Sequence, residues 1–160
     1  MKHFKILLLA TALVFPLANA VSQTAPHEHE AVVHGSMELN AGQKWATDAP
    51  LRQGMTKIRT AVLTALPAAQ SGSLTPAQYD VFANDVNSQV VYIVQNCKLE
   101  PKADAQLHVL LGDITTGVSV AKGEKQGEAR SQGVIKVAES VNNYGKYFDH
   151  ADLQPIAVPH

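Results

Sequence analysis

The sequence has too few cysteines for a disulfide bond within the chain or for a metal site built from several cysteines. One cysteine among 160 residues excludes an intramolecular disulfide, a cysteine-based zinc finger and an iron–sulfur cluster. Neither sign of charge dominates, because 13 Lys and Arg stand against 14 Asp and Glu, whereas a nucleic-acid-binding protein would show an excess of basic residues. The length suits one domain with a single hydrophobic core.

The common catalytic and cofactor motifs are missing as well. The chain has no Gly-x-Gly-x-x-Gly, P-loop, Gly-x-Ser-x-Gly, Cys-x-x-Cys or Cys-x-x-Cys-His sequence, which are the usual signals of nucleotide binding, serine hydrolysis, thiol redox chemistry and c-type haem attachment. The segment from His29 to His34 is similar to the zinc motif His-Glu-x-x-His but is one residue too long. Since no paired carboxylates and no nucleophile–base set are apparent either, the sequence predicts a protein that is not an enzyme.

The first twenty residues have the organisation of a secretory signal peptide. Two lysines, Lys2 and Lys5, precede an apolar run over Ile6–Leu17, and residues 18–20 fit the small-x-small cleavage pattern. The apolar run is shorter than the roughly 20 residues that cross a bilayer, and we predict no transmembrane segment in the mature chain. We therefore predict cleavage after Ala20 and a periplasmic location. The 140 residues that follow hold 11 Lys and Arg against 14 Asp and Glu.

Three further segments follow in the predicted mature chain. Residues 21–47 show little periodicity and hold three histidines, which predicts a mobile His-containing arm. Residues 48–150 follow the helical period, with no convincing strand pattern. Residues 151–160 contain two prolines and are predicted to be a non-helical C-terminal tail.

Four amphipathic helices are predicted within residues 48–150. Thr47 or Asp48 is placed to cap the first, and Pro67, followed by Ser71, Gly72 and Ser73, is expected to end it. Thr75 and Gln78 have the spacing of a capping box at the start of the second, and Gly123 is a natural stop for the third. The predicted helices span about residues 48–66, 76–97, 101–122 and 125–148.

Apolar stripes on these helices predict an all-α, antiparallel, up-down-up-down four-helix bundle, because short loops join amphipathic helices of similar length. Glycines within the helices predict close helix approach, local bends or room beside the core. These glycines are Gly54, Gly112, Gly117, Gly133 and Gly145. The stripes are Leu51, Met55, Ile58, Val62 and Leu66; Tyr79, Phe82, Val86, Val90, Ile93 and Cys97; Ala103, Leu107, Leu110, Leu111, Ile114, Val118 and Ala121; and Val134, Val137, Val141, Tyr144 and Phe148.

Most of the soft or borderline metal ligands belong to one end of this predicted bundle. We call it the Cys97 pole: the end where the first and third helices begin and the second and fourth helices end. The candidate metal ligands there are Cys97, His108, Met55, His150, His34 and Met37. Asp104, one turn before His108, could orient its imidazole ring as an outer carboxylate, or could simply suit the dipole of its helix.

Each candidate ligand also has an ordinary structural interpretation. A cysteine on an apolar stripe, such as Cys97, is often a buried and inert sulfur. Met55 fits its stripe as a filler of the core. His108 lies toward the flank of its helix, where a histidine is commonly solvated or hydrogen-bonded, and His150 follows a helix C-terminus, where a cation is favourable without any ligand role.

Three blocks of sequence resemble a set of uncharacterised periplasmic proteins called DnrO-like. The blocks are Leu39–Arg52 (LNAGQKWATDAPLR), Asn96–His108 (NCKLEPKADAQLH) and Tyr147–His150 (YFDH). They bracket the Cys97 pole. The resemblance implies a fold and a compartment, and it implies no particular reaction.

Other segments are similar to cytochrome b562, a family of haem-binding four-helix bundles. That family binds haem through a Met near its start and a His on its last helix. Gly145 stands where the histidine would be, so haem binding by this chain would need Met37 or Met55 together with His150. The similar segments are Leu110–Ile114, residues 123–129, Asn143–Tyr147 and Met55–Ala61.

Three hypotheses of function follow from these observations. The first is a non-enzymatic periplasmic helical bundle that binds a soft or borderline metal at the Cys97 pole, with copper as the expected metal, because copper(I) favours thiolate, imidazole and thioether ligands. The second is a structural or protein-interaction module in which Cys97 is buried and inert. The third is a b-type haem electron carrier.

Overall fold

Four α-helices account for the regular structure of the described part of the chain. The computed structural model describes residues 36–158, and within them there is no β-strand beyond two isolated bridges, Asn40 with Gln43 and Trp45 with Phe148. The predicted all-helical class is confirmed for these residues. The predicted signal peptide, 1–20, and most of the predicted arm lie outside them. The helices are α1 (Ala49–Gln70), α2 (Pro76–Asn96), α3 (Pro101–Ala121) and α4 (Arg130–Tyr147).

The starts of α1 and α2 follow from the cap chemistry of the sequence. The carboxylate of Asp48 accepts a hydrogen bond from the N–H of Leu51 (2.9 Å) and caps α1. Thr75 and Gln78 form the predicted capping box at the start of α2, with the Thr75 N–H donating to Gln78 Oε1 at 2.8 Å. A proline lies in the first turn of α1, α2 and α3, where its missing N–H would be unpaired in any residue.

Two predicted helix ends are wrong. Pro67 lies inside α1, which continues to Gln70, because a proline removes a single hydrogen bond and Ala69 beyond it is packed in the core at 2% exposure. The fourth helix begins at Arg130 rather than near Lys125. The chain before it turns through Gly127, whose φ of +82° lies outside the helical range.

The apolar stripes meet in one core. Each helix packs against two others, in the pairs α1 with α2, α2 with α3, α3 with α4 and α4 with α1. All predicted stripe residues are buried except Val90 and Cys97, which are partly buried and pack against the core. The predicted core is therefore confirmed almost residue by residue.

Close helix contacts occur at three of the five helical glycines. A Cβ atom added to Gly117 would lie 3.1 Å from the carbonyl oxygen of Gly133. One added to Gly133 would lie 2.7 Å from the Cα of Ala121, and one added to Gly54 would lie 2.7 Å from the Cδ1 of Ile93. The missing side chains let α3 approach α4 and let α1 approach α2.

The segments that flank the helices are tied together at the Cys97 pole. The N–H of Trp45 donates to the carbonyl of Tyr147 and the N–H of Asp149 donates to the carbonyl of Trp45, both at 2.8 Å. Trp45 is 8% exposed and belongs to the core, although the sequence boundary at residue 48 left it in the arm. The start of α1 therefore lies beside the end of α4.

Arg130 makes the corresponding connection where α4 begins. Its Nε donates to the carbonyl of Ala121, at the end of α3, at 2.6 Å. Its guanidinium pairs with Asp80, near the start of α2, and lies 5.1 Å from the ring centroid of Tyr79.

None of the helices in residues 36–158 is long and apolar enough to cross a membrane.

Candidate functional site

The carboxylate of Asp48 collects three hydrogen bonds from two parts of the chain. Besides the N–H of Leu51 in α1, it accepts one from the N–H of Lys98 at 2.6 Å and one from the Sγ of Cys97 at 3.4 Å. Cys97 is the C-cap residue of α2, and its own N–H donates to the carbonyl of Ile93. Asp48 thus joins the start of α1 to the α2–α3 junction.

The protonation states of Asp48 and Cys97 suit this arrangement. Burial alone would raise the pKa of Asp48, but the hydrogen bonds from Lys98, Leu51 and Cys97 outweigh it and bring the pKa below its ordinary value of 3.8. Burial, the hydrogen bond to Asp48 and the nearby negative charges raise the pKa of Cys97 from 9.0 to about 12. At neutral pH the pair is therefore a carboxylate acceptor and a neutral thiol donor.

His108 is an exposed residue whose ring contacts its own helix. Its Nδ1 lies 2.9 Å from the carbonyl oxygen of Asp104 and 3.4 Å from the Oδ2 of the same residue. The side chain of His108 is 66% exposed. The structure thus places Asp104 against the imidazole, and the charge of Asp104 also contributes to the raised pKa of Cys97, after burial and Asp48.

His150 packs against Tyr144 at the end of α4. Its Nδ1 and the hydroxyl oxygen of Tyr144 lie 3.2 Å apart, and the two rings meet edge to face with centroids 5.7 Å apart. Tyr144 is fully buried and stacks on Phe148 at 5.2 Å. Burial and the charge of Arg52 lower the pKa of His150, and burial raises the pKa of Tyr144.

The predicted thioether and arm ligands do not join this group of contacts. Met55 has no exposed surface and lies within the core, so it would have to leave the core to bind a metal. Met37 is partly buried and packs against the core. His34 lies outside the described residues.

Three separate contacts, rather than one cluster, result at the Cys97 pole. The structure brings Cys97 to Asp48, His108 to Asp104 and His150 to Tyr144. Among residues 36–158, no three His, Cys, Asp or Glu side chains form a group that could hold a metal ion.

The residues that bear on the haem hypothesis lie in different surroundings at this end of the molecule. Gly145 supplies only its carbonyl oxygen, which accepts a hydrogen bond from the Nζ of Lys44 at 2.7 Å. Met55, Tyr144 and Phe148 fill the interior beside it with no exposed surface, so a porphyrin between the helices would have to displace them.

The sequence did not predict that three hydrogen-bond donors would meet at the carboxylate of Asp48. The sequence identified Asp48 as one of two candidate helix caps, beside Thr47, and capping is a local property. Its contacts with Cys97 and Lys98 join residues 49 and 50 positions apart, and no local pattern marks them. Asp48 and Lys98 also line a cleft of about 240 Å³, together with residues that include Trp45 and Glu100.

Comparison with known proteins adds no relative. No protein-family model matches the chain, no curated protein matches it, and no solved structure matches it.

Proposed function

We propose that the protein is an exported, non-enzymatic helical module with a structural or protein-interaction role, in which the thiol of Cys97 belongs to the hydrogen-bond network of the fold. The observation that carries this proposal is the donation from Cys97 to Asp48, which also caps α1 and holds the N–H of Lys98. A thiol whose pKa is raised to about 12 is almost entirely protonated at neutral pH, whereas the thiolate is the form that binds metals and reacts.

The proposed architecture is an antiparallel, up-down-up-down bundle over residues 48–150. The contact of Trp45 with Tyr147, before α1 and after α4, supports it. So does the approach of Gly133, near the start of α4, to Ala121, the last residue of α3. Short connections between neighbouring helices favour the same arrangement.

Cys97→Ser and Cys97→Ala test the role of the thiol. A serine hydroxyl can still donate to Asp48, whereas alanine removes the donor. We expect the serine variant to unfold within about 0.5 kcal/mol of the wild type, and the alanine variant to lose about 1 kcal/mol, in urea titrations. Copper(I) titration of all three proteins should give equally weak binding. One tightly bound copper(I) in the wild type, lost in both variants, would contradict the proposal.

Copper(I) binding at the Cys97 pole is the second candidate function. The specific observation in its favour is the negative charge around the thiol, because both Asp48 and Asp104 oppose its ionisation, and a bound cation would reverse that effect. Asp104 also contacts the exposed ring of His108, which is free to turn toward a metal.

The signature of this second function would be a linked proton release. Copper(I) would displace the thiol proton of Cys97, so each ion bound should release about one proton near neutral pH. His108→Ala should weaken binding if the imidazole is a ligand, and Cys97→Ser should abolish the proton release. Binding that is unchanged in both variants would exclude Cys97 and His108 as copper ligands and overturn this second function.

The predicted export is tested by the N-terminus of the protein. We propose that residues 1–20 are removed and that the mature chain starts at Val21 in the periplasm. Mass spectrometry of the protein from a periplasmic extract should give the mass of residues 21–160. A full-length chain found only in the cytoplasmic fraction would contradict this.

A further inference from the structure

The segment after α4 turns back and lies along the surface of that helix. The turn is at residues 151–152, and residues 153–158, which we call the docked tail, belong to no helix or strand. Leu153 lies beside Gly145, and Ile156 lies beside Asn142. The docked tail therefore runs along α4 in the direction opposite to the helix.

Two helical side chains hold the docked tail through its main chain. Asn142, in α4, donates to the carbonyl of Ile156 at 2.9 Å and accepts from the N–H of the same residue at 2.7 Å. The Nε of Arg59, in α1, donates to the carbonyl of Gln154 at 2.7 Å. All three hydrogen bonds are to peptide groups, which is how many receptors hold a short peptide. None of them depends on the covalent link between the tail and α4.

One side chain anchors the docked tail. Ile156 is 5% exposed and belongs to the core, whereas Pro155 and Ala157 on either side are exposed, and Leu153 and Val158 are only partly buried. A cleft of about 520 Å³ lies beside the tail and is lined by side chains of α4 and by the end of the tail. Because few contacts hold the segment, it can open at a lower free energy than the unfolding of the helices.

We propose that the surface around Arg59 and Asn142 is a docking site between copies of this chain, at which the tail of one copy binds the helices of another. Residues 153–158 already occupy this surface within one chain, and every copy carries both the tail and the surface. The contacts are the same in the two arrangements, which differ in the effective concentration of the tail. Reciprocal exchange of a terminal segment gives a closed, two-fold dimer. The site shares no residue with the three contacts at the Cys97 pole, and it goes beyond the role proposed for Cys97.

Two variants of the mature chain place the two halves of the contact on different copies. Asn142→Leu has an intact tail but loses two hydrogen bonds of the surface, and Ile156→Asp has an intact surface but loses the anchor of the tail. Each variant alone should be monomeric. In an equimolar mixture, the tail of Asn142→Leu should bind the vacant surface of Ile156→Asp, and sedimentation should show a heterodimer with a Kd below about 1 mM.

The side-chain amide of Asn142 reports the contact directly, because it forms two of the three hydrogen bonds. In isotope-labelled Ile156→Asp, its NMR signal should leave the wild-type position and should return toward it when unlabelled Asn142→Leu is added. Asn87→Leu is the matched control, with the same substitution at an exposed position of α2. Its tail remains docked on its own chain, so at least roughly tenfold more of this variant should be needed for the same response.

Three results would overturn the proposal. They are a mixture that remains monomeric at about 1 mM, an Asn142 signal that does not respond to the added variant, and equal responses to Asn142→Leu and Asn87→Leu, which would show that a released tail is not what binds. If Ile156→Asp loses its helical circular dichroism, Ile156→Ala takes its place, and a synthetic peptide of residues 150–160 then supplies the tail. None of these results bears on copper binding or on Cys97→Ser.

Discussion

Asp48 is the residue on which the contacts of the Cys97 pole converge. A single carboxylate there accepts from Leu51, Lys98 and Cys97. The removal of its side chain would therefore leave an uncapped helix and two further donors without their partner. Charge-assisted hydrogen bonds of this kind are stronger than those between neutral groups.

Asp48→Ala should lower the free energy of unfolding by about 2 kcal/mol at pH 7, because the loss of a helix cap costs up to about that amount and the N–H of Lys98 loses its acceptor as well. Urea unfolding measures this. Thr75→Ala is the matched control: it removes the cap of α2 and should cost about 1 kcal/mol.

The pH dependence of unfolding in the wild type and in Asp48→Ala gives a second test of the Asp48 carboxylate. The pKa of Asp48 is lowered from 3.8, so its contribution is complete above that value and is lost as the pH falls through the lower pKa of the folded state. The difference between the wild type and Asp48→Ala should therefore shrink at acidic pH. A difference that stays constant down to about pH 2 would mean that the carboxylate charge is not involved.

His150 should make the folded protein less stable at mildly acidic pH. Burial and Arg52 lower its pKa from 6.5, so the folded state resists protonation, and stability is complete above 6.5 and declines as the pH falls through the lower value. The ring protons of His150 should titrate with a midpoint below 6.5 by NMR. His150→Gln should remove part of the stability loss between about pH 7.5 and 5, and an unchanged loss would exclude His150 as its source.

At the scale of helices, local chemistry determined the starts, and packing determined two of the remaining ends. Asp48 and the Thr75–Gln78 capping box begin α1 and α2 as predicted, since a cap bonds to residues two or three positions away. Pro67 did not end α1, and α4 started at Arg130. The first error arose because burial of Ala69 beyond Pro67 outweighs the preference of a single residue, and the second because the chain turns through Gly127 before α4.

Replacement by alanine is predicted to change the free energy of unfolding in opposite directions at two helical glycines, Gly133 and Gly145. Gly133→Ala should lower the free energy of unfolding by about 2 kcal/mol, because its Cβ would lie 2.7 Å from the Cα of Ala121 and backbone atoms cannot move aside cheaply. Gly145→Ala meets only the Cδ2 of Leu153, at 3.8 Å, so it should instead stabilise by up to about 1 kcal/mol. Urea unfolding of both variants measures this, and equal effects would contradict the close approach of α3 and α4.

At the scale of the whole molecule, the chain on either side of the helices completes the core. Trp45 is buried before α1, and Ile156 is buried after α4 at 5% exposure. Asn142 holds Ile156 with two hydrogen bonds, accepting from its N–H at 2.7 Å and donating to its carbonyl at 2.9 Å. The folded unit of the described residues is therefore larger than the four helices alone.

Trp45→Ala should be among the most destabilising single changes outside the helices, costing about 3–5 kcal/mol. Trp45→Phe, which keeps the apolar bulk but loses the donation of Nε1 to the carbonyl of Glu38 (2.7 Å), should cost about 1 kcal/mol. Because Trp45 is the only tryptophan, unfolding of both variants should be followed by far-ultraviolet circular dichroism. Less than about 1 kcal/mol lost in Trp45→Ala would place Trp45 outside the cooperative core.

The grouping of candidate ligands was less predictable than the core. Helical spacing placed Cys97 and His108 toward one end and Asp104 beside His108 in the same helix, but it could not determine that the thiol of Cys97 would face Asp48. Side-chain partners across helices depend on rotation and register, and a shift of one residue turns a side chain by about 100°.

The sequence by itself determined the all-helical class, the caps of the first two helices and most of the buried positions within the helices, because these properties depend on neighbours within one or two turns and on a periodicity of 3.6 residues. Only the tertiary structure decided which donors meet Asp48 and where helices approach closely enough to require glycine. These features join residues far apart in the chain, and the packing of rigid helices against one another determines them.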